Sequence, residues 1–557
     1  MTDAARYLPL IALSVPLVGA VLLALWPAGA PYQRARLPLA AACLVLSFMA
    51  LIVGGLGRTT VTQVPFWGAP FAVGRYLAFS LDHLSLWFCL LLVSSLIAVS
   101  ALQDGLPSGS EGAVAILFVA GTGVAVLVSA NMVTLCLAWV LLDGGLLWID
   151  ARRASRSSTV YAVRNLVLRT LATIALVAAT VLVLADQGDV PIPLAVAKGP
   201  SRYMLMTAAL LRLGLYPLPG GLQRTWLAYL VAVCAGGYLW LRLATLSTAA
   251  LPAGSWLVPA TGIVLAATAL LAATGGSDAP LSAYVISHWL ALLVLAPLID
   301  VRGGVAVGLA VLLNAALAMV PLAAVERLEA RPERWWRLPA AAQLASLGGG
   351  PLTVGFLARW EFLRSAWSLG YPGLFIISVV SFALVSVPVW RQLGILRAWS
   401  APADPEPAAQ GARFAWLRAL AGSYLPAAAL IAAGSVPWLL RNTQSKLIGQ
   451  VSLPLAEGLA AVSWNGAPIY AAVAALLALA AAYLVARRRA PVGTPSPGLT
   501  TTRTFLELDW LYASAERSLA WVESAIGSAA ALLEHGSVSL GWVLLWILAA
   551  TLFLTGR

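Results

Sequence analysis

YMLMTAALLRLGLYPL, residues Tyr203 to Leu218, is an apolar run of membrane-spanning character with a guanidinium, Arg212, at its middle and a helix-breaking proline, Pro217, five residues further on. An arginine at the centre of a bilayer helix costs roughly 2.5 to 3.5 kcal/mol on insertion scales, so it seldom persists facing lipid. Two placements avoid that cost: the side chain faces protein or water, or it snorkels to a headgroup. A proline in the same span removes a backbone hydrogen bond, which is tolerable only where neighbouring helices or water satisfy the freed carbonyl. Arg212 and Pro217 together predict a broken helix beside a polar track.

The rest of the 557-residue chain has the same character: 61% of it is hydrophobic, 10% is charged, and the mean hydropathy is +0.89. Soluble chains carry about 25% charged residues, so the composition excludes a soluble globular protein. A span needs about 20 apolar residues, and the apolar runs predict an all-α polytopic membrane protein of roughly 14 to 16 transmembrane helices. A net charge of +12 and a pI near 9.9 do not point to nucleic acid, because the arginines gather in short loops between apolar runs. Arg34 and Arg36, then Arg152, Arg153 and Arg156, then Arg327, Arg331, Arg334 and Arg337 mark alternate loops, as do Arg391, Arg397, Arg413 and Arg418 and finally Arg487 to Arg489. The positive-inside rule places those loops in the cytoplasm and, for an even helix count, both termini outside. A bacterial-type plasma (inner) membrane is the expected location.

Cys43, Cys89, Cys136 and Cys234 all fall within apolar runs, with no CxxC or Cys/His spacing. A metal site and a disulfide framework are therefore not expected. The first apolar run, Leu8 to Trp26, has no strongly basic leader and no small-residue cleavage site, and is expected to be a retained helix. Pro-rich breaks at Ser400 to Gln410 and Ala490 to Thr502 divide the chain. The expected organisation is N-terminal helices over 1–110, a core over 111–400, further transmembrane helices over 401–490, and a linker, amphipathic helix and last transmembrane helix over 491–557. In the last part Leu508, Tyr512, Ala515, Leu519, Val522, Ile526, Ala529 and Leu533 recur at helical spacing opposite Glu507, Ser514, Arg517 and Ser528. That pattern predicts an amphipathic helix at the membrane surface or along neighbouring subunits, with a poorly hydrophobic spanning helix as the other reading.

Four stretches occur in the order in which one superfamily carries them. FSLDHLSLWFCLL, Phe79 to Leu91, is similar to an LDGLS helix start, and NMVTLCLAWVLLDGGLLW, Asn131 to Trp148, is similar to that family's fifth helix. The spacing from Arg212 to Pro217 matches its broken seventh helix, where a lysine stands five residues before a proline. GFLAR, Gly355 to Arg359, following Gly350, Pro351 and Leu352, is similar to the GF-x-x-K segment of its broken twelfth helix. The DWLY at Asp509 to Tyr512 is similar to the longer members. The chain thus resembles the antiporter-like, proton-translocating membrane subunits of respiratory complex I (NADH:quinone oxidoreductase), of multisubunit cation/proton antiporters and of membrane-bound hydrogenases. The resemblance covers about 430 residues and implies two inverted five-helix repeats with broken helices, followed by a C-terminal lateral helix and a final transmembrane helix.

The resemblance also implies a chain of ionisable residues across the membrane, and this sequence departs from it. The fifth-helix glutamate is Val140; Asp143 stands three residues on, on nearly the same helical face. It either carries the displaced charge or caps and pairs with a neighbouring helix. The seventh-helix lysine is Arg212 and the twelfth-helix lysine is Arg359. A buried lysine can exchange its proton, whereas arginine stays charged. The two arginines therefore either hold fixed charge beside a water track, where they attract anions, or form permanent ion pairs with Asp143 and Glu361 or their equivalents in space. Ala228 stands where the eighth helix often has histidine. His288, in VISHWL, is similar to the tenth-helix histidine and is either a titrating group or a hydrogen-bonded packing residue. Asp82 and His83 lie at a helix entrance, where interfacial capping is the expected role.

Asp143, Arg212, His288, Arg359 and Glu361 are accordingly the proton-path candidates. No catalytic, cofactor or metal residue stands out, and nothing resembles an NADH, flavin, iron-sulfur or quinone site, so electron chemistry would belong to partner subunits. The implied function is a membrane-arm subunit of a complex I-like respiratory assembly, lying in the lipid bilayer beside sister subunits, with a channel that is either active or impaired. The alternative is an energy-coupling subunit of an ion-gradient-driven transporter, such as a cation/proton antiporter or an inorganic-carbon uptake system. A polytopic transferase would need a large extramembrane loop with paired acids or histidines, and none is evident in the sequence.

Overall fold

The computed structural model describes residues 7–25, 30–55, 61–65, 76–102, 109–153, 159–188, 192, 199–215, 226–246, 256–274, 281–319, 337–398, 420–436 and 467–488, with eight residues between 506 and 524. The chain forms two compact units, Met1–Gly493 and Thr494–Arg557. Among the described residues eight helices are long and apolar enough to cross a membrane, and five further apolar helices are shorter.

The first unit begins with α1 (Leu8–Leu25) and α2 (Ala30–Gly55), followed by α3 (His83–Leu102), α4 (Gly109–Leu127), α5 (Met132–Arg153) and α6 (Thr159–Gln187). Next come α7 (Gly199–Leu213), α8 (Trp226–Val231), a π-helical segment (Ala232–Gly236) and α9 (Gly237–Leu246). The second half has α10 (Leu257–Thr274), α11 (Leu281–Ile299), and α12 (Val301–Asn314) running into a π segment (Ala315–Met319). It continues with α13 (Arg337–Leu347), α14 (Val354–Ser368) and α15 (Pro372–Ala398). A third π segment (Leu420–Tyr424) leads into α16 (Leu425–Ser435), and α17 is Ala467–Arg488.

Among the described residues the core is two successive sets of five spans, α4 to α9 and α10 to α15; in the fourth place α7 ends at Leu213 in the first set, and α13 and α14 are separated by a break in the second. Five is odd, so the second set crosses the membrane in the opposite sense to the first. That is an inverted repeat. The interrupted pieces are short: α7 and α14 have 15 residues each, about 22 Å of helix against a hydrocarbon core of about 30 Å. A half-span leaves carbonyls at its inner end that lipid cannot satisfy, so both breaks must be buried in protein.

The sequence places the first break at Pro217, which lies outside the described residues. The described end comes three residues earlier, at Gly214, whose φ of 62° is left-handed. Its N–H closes the helix on the carbonyls of Leu210 and Leu211, at 3.1 and 3.2 Å, as a glycine C-cap does. The second break runs from Gly348 to Thr353. Gly349 has φ 72° and Leu352 φ 63°, and Thr353 caps α14 by accepting the Phe356 N–H.

One element is not helical. Val61–Pro65 (β1) and Tyr76–Ser80 (β2) pair antiparallel, Val61 opposite Ser80 and Pro65 opposite Tyr76. The pair is pinned to the α4–α5 connection: Ser80 N–H donates to Val128 O and Ala130 N–H to Ala78 O, both at 2.8 Å. Ala78 N–H also donates to Thr134 Oγ1 at 2.9 Å.

The outer face is as apolar as the interior, as a bilayer solvent requires. Val140, Leu141, Ile174 and Val181 are exposed on α5 and α6, while Trp139, Leu142, Leu176 and Ala179 on the same helices are buried. In the second unit Leu506, Trp510, Ser514, Arg517 and Trp521 are helical, and Trp510 and Trp521 are exposed. The rest of the expected amphipathic helix, and the final transmembrane helix, lie outside the described residues.

Candidate functional site: guanidinium groups at two helix breaks

The first break buries Arg212. It lies one residue from the C-terminus of α7, its side chain is 2% exposed, and Nη1 forms an ion pair with Asp143 Oδ1 of α5. The guanidinium carbon lies 4.7 Å from the centroid of the Trp139 ring, one helical turn before Asp143. The other carboxylate oxygen, Oδ2, accepts from Thr173 Oγ1 of α6 at 2.7 Å. Headgroup snorkelling is thereby excluded for Arg212, and α5, α6 and α7 converge on one pair. Arg212 Nε and Nη2 are buried without a partner.

The second break buries Arg359, also 2% exposed. Its Nη1 donates to Gly348 O at 2.6 Å and to Ser386 Oγ at 2.8 Å, and Nη2 donates to Leu347 O at 3.3 Å. The arginine of α14 thus bonds the carbonyls left open where α13 ends, at the negative end of that helix dipole. A Cβ on Gly349 would collide with this guanidinium unless the arginine moved, and the left-handed φ there favours glycine as well. Aromatic faces flank the group, Trp289 at 5.1 Å and Phe382 at 5.0 Å from centroid to guanidinium carbon. Among the described residues no carboxylate pairs with it.

The expected ion pair of Arg359 with Glu361 is not formed. Glu361 Oε2 instead bonds Arg364 Nη2 at 2.7 Å. Helical geometry explains this: residues two apart point to opposite sides, and residues three apart share a face. His288 is fully buried on α11, with Nδ1 3.2 Å from Leu265 O and its ring edge-on to Phe382 at 5.7 Å. A carbonyl partner makes Nδ1 the protonated nitrogen, leaving Nε2 as an acceptor, and Nε2 is buried without a partner.

A third charged cluster was not anticipated. Arg242 of α9 grips Asp82 with both ends of its fork, Nη1 to Oδ2 at 2.6 Å and Nη2 to Oδ1 at 2.9 Å. Its Nη2 also reaches Tyr238 Oη at 2.9 Å and Ser85 Oγ at 3.2 Å. Asp82 does cap α3 as expected, accepting the Ser85 N–H at 2.8 Å, but it is also the counter-ion of a buried arginine 160 positions away. His83 opens α3 and is exposed. The eighth span, which has alanine at position 228, therefore carries its buried charge at Arg242.

No family model and no curated protein matches the sequence. Solved structures do match. A chain from the structure of the Mrp complex from Dietzia sp. DQ12-45-1b aligns over 99% of this chain with a TM-score of 0.69 at 16% identity. A chain of the membrane-bound sulfane sulfur reductase, an archaeal respiratory membrane complex, aligns over 97% with a TM-score of 0.68 at 17% identity. The chain therefore shares its fold with these two chains of membrane complexes. The chain spans 62% of the length of the Mrp chain and 99% of that of the sulfane sulfur reductase chain.

Proposed function

We propose that this multi-pass membrane chain is an antiporter-like subunit of a multisubunit ion-translocating assembly, lying beside sister membrane subunits of a complex I-like or related complex. The conclusion is carried by the placement of a buried guanidinium at each break of the antiporter-like fold. Asp143 and His288 are the exchangeable members of the path, and Arg212 and Arg359 are its fixed charges. Glu361 is the remaining carboxylate on the second broken helix. Because a guanidinium keeps its proton, we infer an impaired channel that conducts weakly compared with one holding lysines at the same places. Electron transfer, where it drives the assembly, belongs to partner subunits, and the membrane is of the bacterial plasma type with both termini outside.

The alternative is an energy-coupling subunit of a cation/proton antiporter or inorganic-carbon uptake system. The match to a chain of the Mrp complex gives it specific support. Purification from native membranes in mild detergent, with mass spectrometry of what travels with the chain, separates the two: membrane and redox subunits are expected under the first reading. Recovery of the chain alone would refute both. In proteoliposomes containing that assembly, Arg359→Lys is expected to raise proton flux above wild type, and Arg212→Ala to change it. Unaltered flux in both variants would remove the path assigned to these residues.

A further inference from the structure

The two breaks are built alike except in one respect. In each, a buried arginine lies over the ring of a buried tryptophan, Arg212 over Trp139 at 4.7 Å and Arg359 over Trp289 at 5.1 Å. One turn beyond Trp139, on the same helix, stands Asp143, the counter-ion of Arg212. One turn beyond Trp289 stands Leu293, also fully buried. The second site has the cation and the indole but, among the described residues, no acid.

Burying an uncompensated charge costs several kcal/mol even after relaxation. The carbonyls of Leu347 and Gly348 offset part of it, because a helix C-terminus is equivalent to about −0.5 of a charge. About half of a positive charge therefore remains. Two N–H donors are also left over and fully buried, Arg359 Nε and Trp289 Nε1, on groups stacked against each other. Leftover donors beside leftover positive charge ask for an acceptor that is also negative. Water would satisfy the donors but not the charge. A cation is repelled, and a multiply charged oxyanion would bring more acceptors than two donors can meet.

We propose that the Arg359 site binds a small monovalent anion of the halide class, which supplies at the second break the negative charge that Asp143 supplies at the first. The anion is a resident counter-ion, held by Arg359 and the Trp289 indole. The site does not depend on ion flux through the chain, so a failure of the transport reading leaves it standing.

Chloride is the probe. The chain is purified in mild detergent with whatever subunits accompany it, and saturable binding of radioactive chloride is counted against gluconate at constant ionic strength. Arg359→Gln is expected to remove one chloride per chain. Leu293→Asp, which places a carboxylate one turn beyond Trp289 as Asp143 stands one turn beyond Trp139, is expected to remove the same chloride with Arg359 intact. Asp143→Asn, which strips the counter-ion from Arg212, is expected to add one. Wild-type protein with no saturable chloride overturns the proposal, as does chloride undiminished in both Arg359→Gln and Leu293→Asp. Should Arg359→Gln fail to elute as a folded particle, Leu293→Asp and Asp143→Asn decide the matter alone, since loss in one and gain in the other have no common cause in misfolding.

Discussion

Arg212, Arg242 and Arg359 are each buried to within a few per cent of complete exclusion, and what holds them differs. The first two have carboxylates, Asp143 and Asp82. Removing one partner of a buried pair strands the other charge and typically costs 3–5 kcal/mol, whereas replacing both with apolar groups is often close to neutral. Asp143→Ala is therefore expected to destabilise by about 3–5 kcal/mol, and Asp143→Leu with Arg212→Met by clearly less than the sum of the single changes, as read from unfolding in detergent with a double-mutant cycle. Additive losses would mean that the ion pair carries no coupling. The sequence made Arg212 and Asp143 legible because a guanidinium and a carboxylate interrupt apolar runs. Arg242 interrupts LWLRLA in the same way, so the signal for it was present, but its partner is 160 positions distant and local spacing cannot reveal it. Arg359 and Glu361 do not pair, because residues two apart on a helix point to opposite sides, and among the described residues no other carboxylate takes the place of Glu361.

At the scale of the element, the second break is an assembly of mutually dependent parts. Ser346 Oγ donates to Asn314 Oδ1 at 2.8 Å and accepts from Gly355 N–H at 3.4 Å, tying the start of α14 to the end of α12. Ser435 of α16 donates to Leu352 O at 3.3 Å, at the one non-glycine residue with left-handed φ among those described. Two glycines of α14's surroundings separate backbone strain from packing. Gly349 and Gly370 have similar φ, 72° and 77°, but an added Cβ meets the Arg359 guanidinium at the first and open space at the second. Gly370→Ala is expected to cost about 1–2 kcal/mol, the left-handed penalty for a residue with a Cβ. Gly349→Ala is expected to cost more than that and to displace Arg359. Equal losses in thermal melts would show that the guanidinium yields freely. Apolar runs, glycines and prolines made the helices and the second interruption legible, whereas the break expected at Pro217 lies beyond the described end of α7. The β1–β2 pair was not, because five-residue segments with alternating polarity are too short to stand out in a chain this apolar. The π segments left no sequence signal, since an inserted residue rotates the turns that follow it, and in helices apolar on every side there is no polar stripe for that rotation to displace.

For the whole molecule, solvent quality decides what a surface substitution does. On a soluble protein an exposed change away from special features is usually within about 0.5 kcal/mol of neutral. Ile174 is 58% exposed on α6, yet it faces the region where hydrocarbon replaces water. Ile174→Asp is expected to cost about 2.5–3.5 kcal/mol in a bilayer and far less in a short-chain detergent, as measured by unfolding in bicelles and in micelles. Equal effects in the two media would place that face of α6 away from lipid.

The difference between the two breaks also bears on voltage. Arg212 with Asp143 is a dipole of zero net charge, on which a transmembrane field exerts a torque but no net pull. Arg359 has no carboxylate partner among the described residues, so whenever its proposed anion is absent it is a monopole in the same field, and one elementary charge carried across 100 mV is worth about 2.3 kcal/mol. With the anion site empty, energising the membrane therefore loads the two repeats unequally: a net pull along the bilayer normal on the second half-span, a torque alone on the first.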